Sequence, residues 1–342
     1  NGGTKNLVVN YLSFVYYGIL YSFKFKRKKK FDSILVYAPS PITSALPAIF
    51  LKYLLKRVPV TVWVQDLWPE SLIATGFVKN RFMLKIVEMM VKGIYYFSDT
   101  ILVQSLAFIP KVSLMIKDKN KIFYYPNSAL DMRNRNIESD HLPIELIKIL
   151  ENNFCIVFAG NLGTAQAVET ILGAAVLLQT LTDFKIVLVG SGSMSEWLAN
   201  EVRNKMISNV ILAGRFPPSD MPSIYSKSKG LLVTLKKSEI FNYTIPCKVQ
   251  SYLSAGLPII AAIDGEGARI IIESGAGLAT AAEDPHALAE SIKRLYYMTD
   301  LQREKMGSQG RAYFLKNYEI SIQAQRLIKI LKKQANKMDK TK

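Results

Sequence analysis

Lys248 is the residue whose type and setting say most about chemistry in this chain. The apolar run Leu232–Leu235 enters a basic, polar loop, and Pro246-Cys247-Lys248 then opens a helix-like segment that Gly256 stops. Leu257-Pro258 and a second β-rich run follow. A lysine beside the free amides of a helix start forms an anion site. A solvent lysine would be ordinary there too, so both readings stand. Strand, loop, helix and strand in this order place the lysine where open α/β sheets keep their ligands.

Other stretches share that grammar. Gly160-Asn161-Leu162-Gly163-Thr164-Ala165-Gln166 follows an apolar strand. Gly160 and Gly163 either let backbone amides approach a phosphate or make a tight turn. Gly190 ends another strand and Arg215 follows a third. Gly265-Glu266-Gly267-Ala268 lies between a strand and a helix, with Arg269 either at a phosphate or simply at the helix start. Gln65-Asp66-Leu67-Trp68-Pro69-Glu70 supplies two acids after an apolar strand. Asp66 follows the strand directly. Pro69 favours a helix start, where Glu70 is also an ordinary charge. Trp68 suits a sugar face and a core equally.

These groups need elements to hold them. Asp32–Ala38, Val60–Val64, Thr100–Val103 and Lys121–Tyr125 read as strands alternating with helices at 45–55 and 79–97. Ala129–His141 is polar and charged, and the pattern then restarts. Strands at 154–158, 184–189, 210–213, 230–235, 258–262 and 277–280 alternate with helices at 167–180, 193–205, 219–226, 270–275 and 284–297. Short apolar strands between helices predict parallel doubly wound sheets. The expected organisation is an N-terminal domain over 1–130, a linker over 131–150, a C-terminal domain over 151–310, and terminal helices over 311–342 that return toward the first domain.

Composition narrows the chemistry. The chain has 342 residues, 49% of them hydrophobic, which is enough for two cores. Two cysteines, Cys155 and Cys247, give no disulfide framework. Two histidines, His141 and His286, leave little for a zinc site or a histidine triad, and no metal site is expected. The net charge of +17 draws nucleic acid, anionic lipid or phosphorylated ligands. Zinc-finger, RNP-type and basic-zipper patterns are missing, so nucleic acid is not the expected partner. The aromatic run Leu7–Phe23 leads into the basic cluster Lys24–Lys30. It lies at the lower edge of a membrane span and lacks a signal-peptide pattern. Two readings remain: a helix lying on a membrane surface, or a core helix of the first domain.

Five stretches together resemble the retaining GT-B glycosyltransferases of family 4, and most closely the bacterial O-antigen and capsule branch with its fucosamine transferases. They are VWVQDLWPES, YYPNSALD, FAGNLGTAQAVETIL, KIVLVGSGS and IPCKVQSYLSAGLPIIAAIDGEGARIIIESGAG. They run in the family order along nearly the whole chain, which resembles a member lacking the family's N-terminal segment. The resemblance implies an α/β fold of two Rossmann-like doubly wound domains facing a cleft, the N-terminal one incomplete. It implies transfer of a sugar, N-acetyl-L-fucosamine being one candidate, from a nucleotide-sugar, UDP-linked by expectation, onto a polyprenyl-diphosphate-linked acceptor. The enzyme would work at the cytoplasmic face of the membrane as a peripheral protein, without a cofactor. The family's arginine and lysine after the first strand of the second domain match Asn161 and Gln166, which donate hydrogen bonds but carry no charge. Lys248 is the first choice to compensate, with Arg215 next. The family's pair of glutamates around this helix falls at Tyr243 and Ser251, while Gln250 and Ser251 fit the branch. Glu273 is left to serve the ribose or to be a surface residue. The loop Gly265-Glu266-Gly267-Ala268 matches the one whose amides reach the donor. Gly160, Gly163 and Gly190 join the donor set, and Asp66 would bond a sugar hydroxyl or orient the acceptor, with Glu70 beside it. Two other classes stay open: a donor-binding scaffold or catalytically impaired fragment, and a sugar-nucleotide epimerase.

Overall fold

Apolar runs bounded by turns become strands here, and the central ones, such as Thr100–Val103 and Phe154–Ala159, are buried at every residue. The computed structural model describes residues 4–25, 31–55, 58–74, 76–78, 80–133 and 142–339. Most of the basic cluster 24–30, part of the polar segment 129–141 and His141 lie outside the described residues. Contacts divide the chain into two units, Asn1–Asn127 with Gln323–Lys342, and Ser128–Ile322. Within the expected linker, Ile144–Asn152 is a helix that buries Leu146 and Leu150.

The first unit holds four parallel strands, β1 (Ile34–Ala38), β2 (Val60–Val64), β3 (Thr100–Val103) and β4 (Ile122–Tyr124), in the order β1-β2-β3-β4. The helices Leu46–Leu54, Arg81–Phe97 and Phe108–Ser113 lie between successive strands, and Leu46–Leu54 packs against Arg81–Phe97. The helix Thr4–Phe25 packs on Leu46–Leu54, and a Cβ at Gly18 would meet Pro47 Cγ at 2.7 Å. The Phe23 and Phe50 rings, 5.5 Å apart, fasten the same pair. Much of this helix stays exposed, including Phe14, Tyr16 and Tyr17. Among the described residues no helix is long and apolar enough to cross a membrane. Asp99 accepts from Lys52 Nζ at 2.8 Å and from the Val60 amide at 2.8 Å, tying helix to sheet. The chain rejoins this unit at Gln323, whose carbonyl accepts from the Tyr125 hydroxyl at 3.0 Å.

The second unit is a six-stranded parallel sheet of β5 (Phe154–Ala159), β6 (Phe184–Val189), β7 (Val210–Gly214), β8 (Gly230–Thr234), β9 (Ile259–Ala262) and β10 (Gly277–Thr280). Its order is β10-β9-β8-β5-β6-β7, the doubly wound arrangement. The chain reverses direction between β5 and β8, which is the switch point where such sheets bind ligands. Strand β5 shows how the centre of the sheet is covered on both faces. Cys155, Val157 and Ala159 enter one core cluster, while Phe154, Ile156 and Phe158 enter the other, following the two-residue period of a strand. The helix expected over 270–275 begins earlier, at Gly265. The helix Glu239–Tyr243 falls in the loop that the sequence reading left without structure.

Candidate functional site

A cavity of about 620 Å³ opens over the carboxyl ends of β5, β6 and β7 in the second unit. Its floor is bare backbone. Gly190 has φ +138°, and a Cβ there would stand 1.8 Å from the Gly160 carbonyl oxygen. Gly160 has φ +141°. A side chain at either would fill the space and strain the backbone. Gly163 sits beside this floor, where a Cβ would meet Asn161 Nδ2 at 2.6 Å.

The helix Cys247–Ala255 forms one wall. Gly256 ends it in the left-handed conformation, φ +69°, as a glycine C-cap does. The Tyr252 hydroxyl accepts from the Ala159 amide at 3.0 Å and so pins the helix to the end of β5. Lys248 lies one turn earlier on the same face. Its Nζ donates to Gln166 Oε1 at 2.8 Å and stands 3.8 Å from the centre of the Phe158 ring. The residue keeps some exposure, but its ammonium end lies deep. Among the described residues no carboxylate pairs with it. Burial pushes its amine down to about 7. An amine in this state is short of an anion: a negative ligand would restore its proton and its charge.

Six of the sequence candidates line the cavity: Gly160, Asn161, Gly190, Arg215, Lys248 and Ser251. Arg215 is exposed and has no ion pair among the described residues. Gln166 joins them through Lys248. Gln250 does not, since it is 1% exposed and its amide fits as a donor to the Cys247 and Pro246 carbonyls. The group 265–273 forms a separate assembly. Gly265, φ +70°, lies against the Asn242 backbone, and a Cβ would come within 2.2 Å of its carbonyl oxygen. A Cβ at Gly267 would meet Ile263 Cδ1 at 2.7 Å, and Ala268 packs against the core. Glu266, 7% exposed, takes both Arg269 Nε at 2.8 Å and Arg269 Nη2 at 3.1 Å. Glu273 also pairs with Arg269 and accepts from the Tyr313 hydroxyl at 3.2 Å. The hydrogen bonds that Arg269 donates to Glu266 hold its guanidinium above its ordinary range, so its charge is committed locally.

Phe216, Pro218, Met221 and Tyr225 add an apolar wall that the sequence reading did not assign. Their signal was present: they follow Arg215 directly, after a strand end. Phe158, which the sequence gives only as the end of a strand, lies under the lysine.

The first unit carries a second polar group at the carboxyl ends of β1 and β2. Burial raises Asp66, partly offset by hydrogen bonds from Ser71, Ser40 and Trp68 and from the Leu67 backbone. Trp68 is core, and its Nε1 donates to Ser40 Oγ at 3.1 Å. Glu70 Oε2 and the Tyr95 hydroxyl are both buried without a hydrogen-bond partner among the described residues. Burial, then Glu70 and Asp66, hold the Tyr95 hydroxyl far above its usual range. Among the described residues no group of acids, histidines and cysteines is placed to hold a metal ion.

Residues 153–297 match the family of Glycosyl transferases group 1, which places the matched domain inside the second unit. No curated protein sequence matches the chain. Among solved structures, Anabaena Alr3699/HepE in complex with UDP and glucose is similar at 16% identity, over 87% of this chain and 77% of that one, with a TM-score of 0.67. A glycosyltransferase from Rickettsia africae is similar at 17% identity, over 98% and 83%, with a TM-score of 0.65. Sucrose-phosphate synthase from Thermosynechococcus elongatus gives 14% identity, 92% and 76%, and a TM-score of 0.69. At these identities the likeness to each is one of fold. A group 1 domain over 153–297 in a chain with two parallel-sheet Rossmann-like domains makes this protein a glycosyltransferase of GT-B fold.

Proposed function

We propose that the enzyme is a retaining transferase that takes a sugar from a UDP-sugar and places it on a hydroxyl of a polyprenyl-diphosphate-linked acceptor. The observation that carries this is Lys248: an amine with no acidic partner among the described residues, held over a glycine floor at the switch point of a doubly wound sheet. The UDP bound to the Anabaena structure supports the choice of nucleotide. The diphosphate lies on the floor made by Gly160 and Gly190, against Lys248 and Arg215. Lys248 brings to the 160–166 loop the charge that Asn161 and Gln166 do not carry. The apolar wall from Phe216 to Tyr225 suits the flat face of a base.

The bond from the sugar C1 to the diphosphate oxygen breaks, and the bond from C1 to the acceptor oxygen forms. The acceptor proton passes to the departing diphosphate. Negative charge grows on that diphosphate as the bond breaks, and a fixed cation in a partly dry site stabilises it. Asp66 and Glu70 are assigned to the acceptor, whose hydroxyls they would orient. N-acetyl-L-fucosamine is our candidate sugar and O-antigen or capsule synthesis the setting, on the strength of the branch that the motifs resemble. A panel of UDP-sugars offered with a lipid-linked N-acetylglucosamine acceptor tests the reading. Transfer with the donor's anomeric configuration kept in the product supports it. Binding of UDP-sugars without transfer to any acceptor would instead make the protein a donor-binding scaffold.

A further inference from the structure

The helix Arg81–Phe97 has two apolar faces. Val91, Ile94 and Tyr95 are buried and fix its core side. At about 100° per residue, Phe82, Ile86, Met89 and Tyr96 fall on the opposite side. They are exposed, with Phe82 at 70%, Met89 at 60% and Tyr96 at 70%. No residue from Arg81 to Met90 is fully buried, and on the core side Leu84 and Val87 are half-buried. A helix with one face in a core ordinarily shows water a polar face. This one shows water a second apolar row.

Cations border that row. Arg81 and Lys85 lie along one flank, and neither has an ion pair among the described residues. Lys92 follows on the same flank, paired with Glu88 at 2.6 Å. An apolar row edged by free cations complements a surface that is apolar inside and anionic at its rim. A bilayer with acidic headgroups has that layering, and lysines and arginines near it are drawn to the headgroups. A second copy of the chain is a poorer match, because a net charge of +17 opposes self-association.

We propose that the outward row of the helix Arg81–Phe97 docks on an anionic phospholipid bilayer, with Phe82, Ile86 and Met89 in the interface and Arg81 and Lys85 on the headgroups. This deepens the reading of a membrane-linked acceptor but rests on the helix itself, not on the donor site. It differs from a surface role for Thr4–Phe25, whose exposed side chains surround the helix instead of forming one cation-edged row.

The test is co-sedimentation of the full chain with vesicles of phosphatidylcholine alone, or with one quarter phosphatidylglycerol. The wild type should bind the anionic vesicles in preference, and less so as salt rises. Phe82→Ser with Met89→Ser, and separately Arg81→Glu with Lys85→Glu, should each weaken that binding about tenfold or more. Met89→Leu should preserve it. Thermal melting and UDP-sugar affinity serve as controls that the variants fold, and they report on the donor site independently of the vesicles. Equal sedimentation of the variants and the wild type would overturn the proposal, as would failure of the wild type to bind anionic vesicles. So would a wild-type dimer, seen by light scattering, that Phe82→Ser with Met89→Ser dissolves, since the row would then belong to a second copy.

Discussion

The two sheets place buried charge of opposite sign at their carboxyl ends. In the second unit the charge is Lys248, above a floor of glycine backbone. In the first it is Asp66, with Glu70 and Tyr95 close enough to be felt electrostatically. The strand orders differ as well. The six-stranded sheet reverses at β5 and β8 and opens a crevice there, whereas the four-stranded order advances in one direction and has no such reversal. The contrast teaches that parallel strands supply only a rim. What such a rim binds is decided by a few residues; the function proposed above gives the cation to a diphosphate and the acids to hydroxyls. In each unit burial works against the charge that is kept.

Replacing each buried charge by a neutral group should therefore stabilise the free protein and harm turnover, with opposite pH signatures. Lys248→Met should give the largest effect, lowering kcat by about 10²-fold or more, in the range seen when one group that stabilises developing negative charge is lost. In the free protein the folded Lys248 loses its proton near 7, while the unfolded lysine holds it to about 10.5. The unfolded state binds more protons across that window, so this group makes stability rise with pH from about 7 to 10.5. Lys248→Met should melt higher than wild type at pH 7, and the gain should fade toward pH 10, as read by calorimetry. Gly190→Ala comes next. It drives a methyl into the Gly160 carbonyl at a φ that alanine rarely adopts, and should cost about 3 kcal/mol in a denaturant titration.

Asp66→Asn should reduce transfer while leaving UDP-sugar binding intact. The carboxyl is raised in the fold, so the folded state holds its proton to higher pH than the unfolded one. Stability from this group is present below the unfolded value of 3.8 and is lost as pH rises through the folded value. The variant's advantage in melting temperature should thus be largest near neutrality and shrink in acid, the mirror of Lys248→Met. The smallest effect is expected at the Lys236–Glu169 pair, 3.7 Å apart and partly exposed on both sides. A double-mutant cycle there should give about 0.5 kcal/mol or less. A much larger coupling would mean that charge as well as apolar packing fastens the helix Val168–Leu177 to the chain after β8.

Much of this was legible in the chain. The strands of both sheets could be read because they are short apolar runs between turn residues. The C-terminal stop of the 247–255 helix was legible because Gly256 is the residue type that a left-handed cap favours. Lys248 stood out by its place before a helix and between two strands. Its partner did not: Gln166 is far away in sequence, and only the fold brings Nζ to it. Arg269 looked as free as Lys248 on paper, yet Glu266 and Glu273, three and four residues along the helix turns, engage it. Gln250 looked polar and available, but its place in the helix turns it inward. Which side of a helix faces the core depends on the packing of its neighbours, which local spacing does not contain. The same limit hid the outward row of Arg81–Phe97.

The most direct test is calorimetric titration of a UDP-sugar into wild type and Lys248→Met at pH 8, in two buffers of different ionisation enthalpy. The donor's diphosphate is fully ionised there and its uracil keeps its N3 proton, so proton exchange reports on the protein. The account predicts that wild type takes up close to one proton per donor bound, and that its affinity falls by up to about tenfold per pH unit above 7. It predicts weaker binding and no such uptake in the variant. Equal affinity in the two proteins, with no proton taken up by either, would contradict the assignment of Lys248 to the diphosphate.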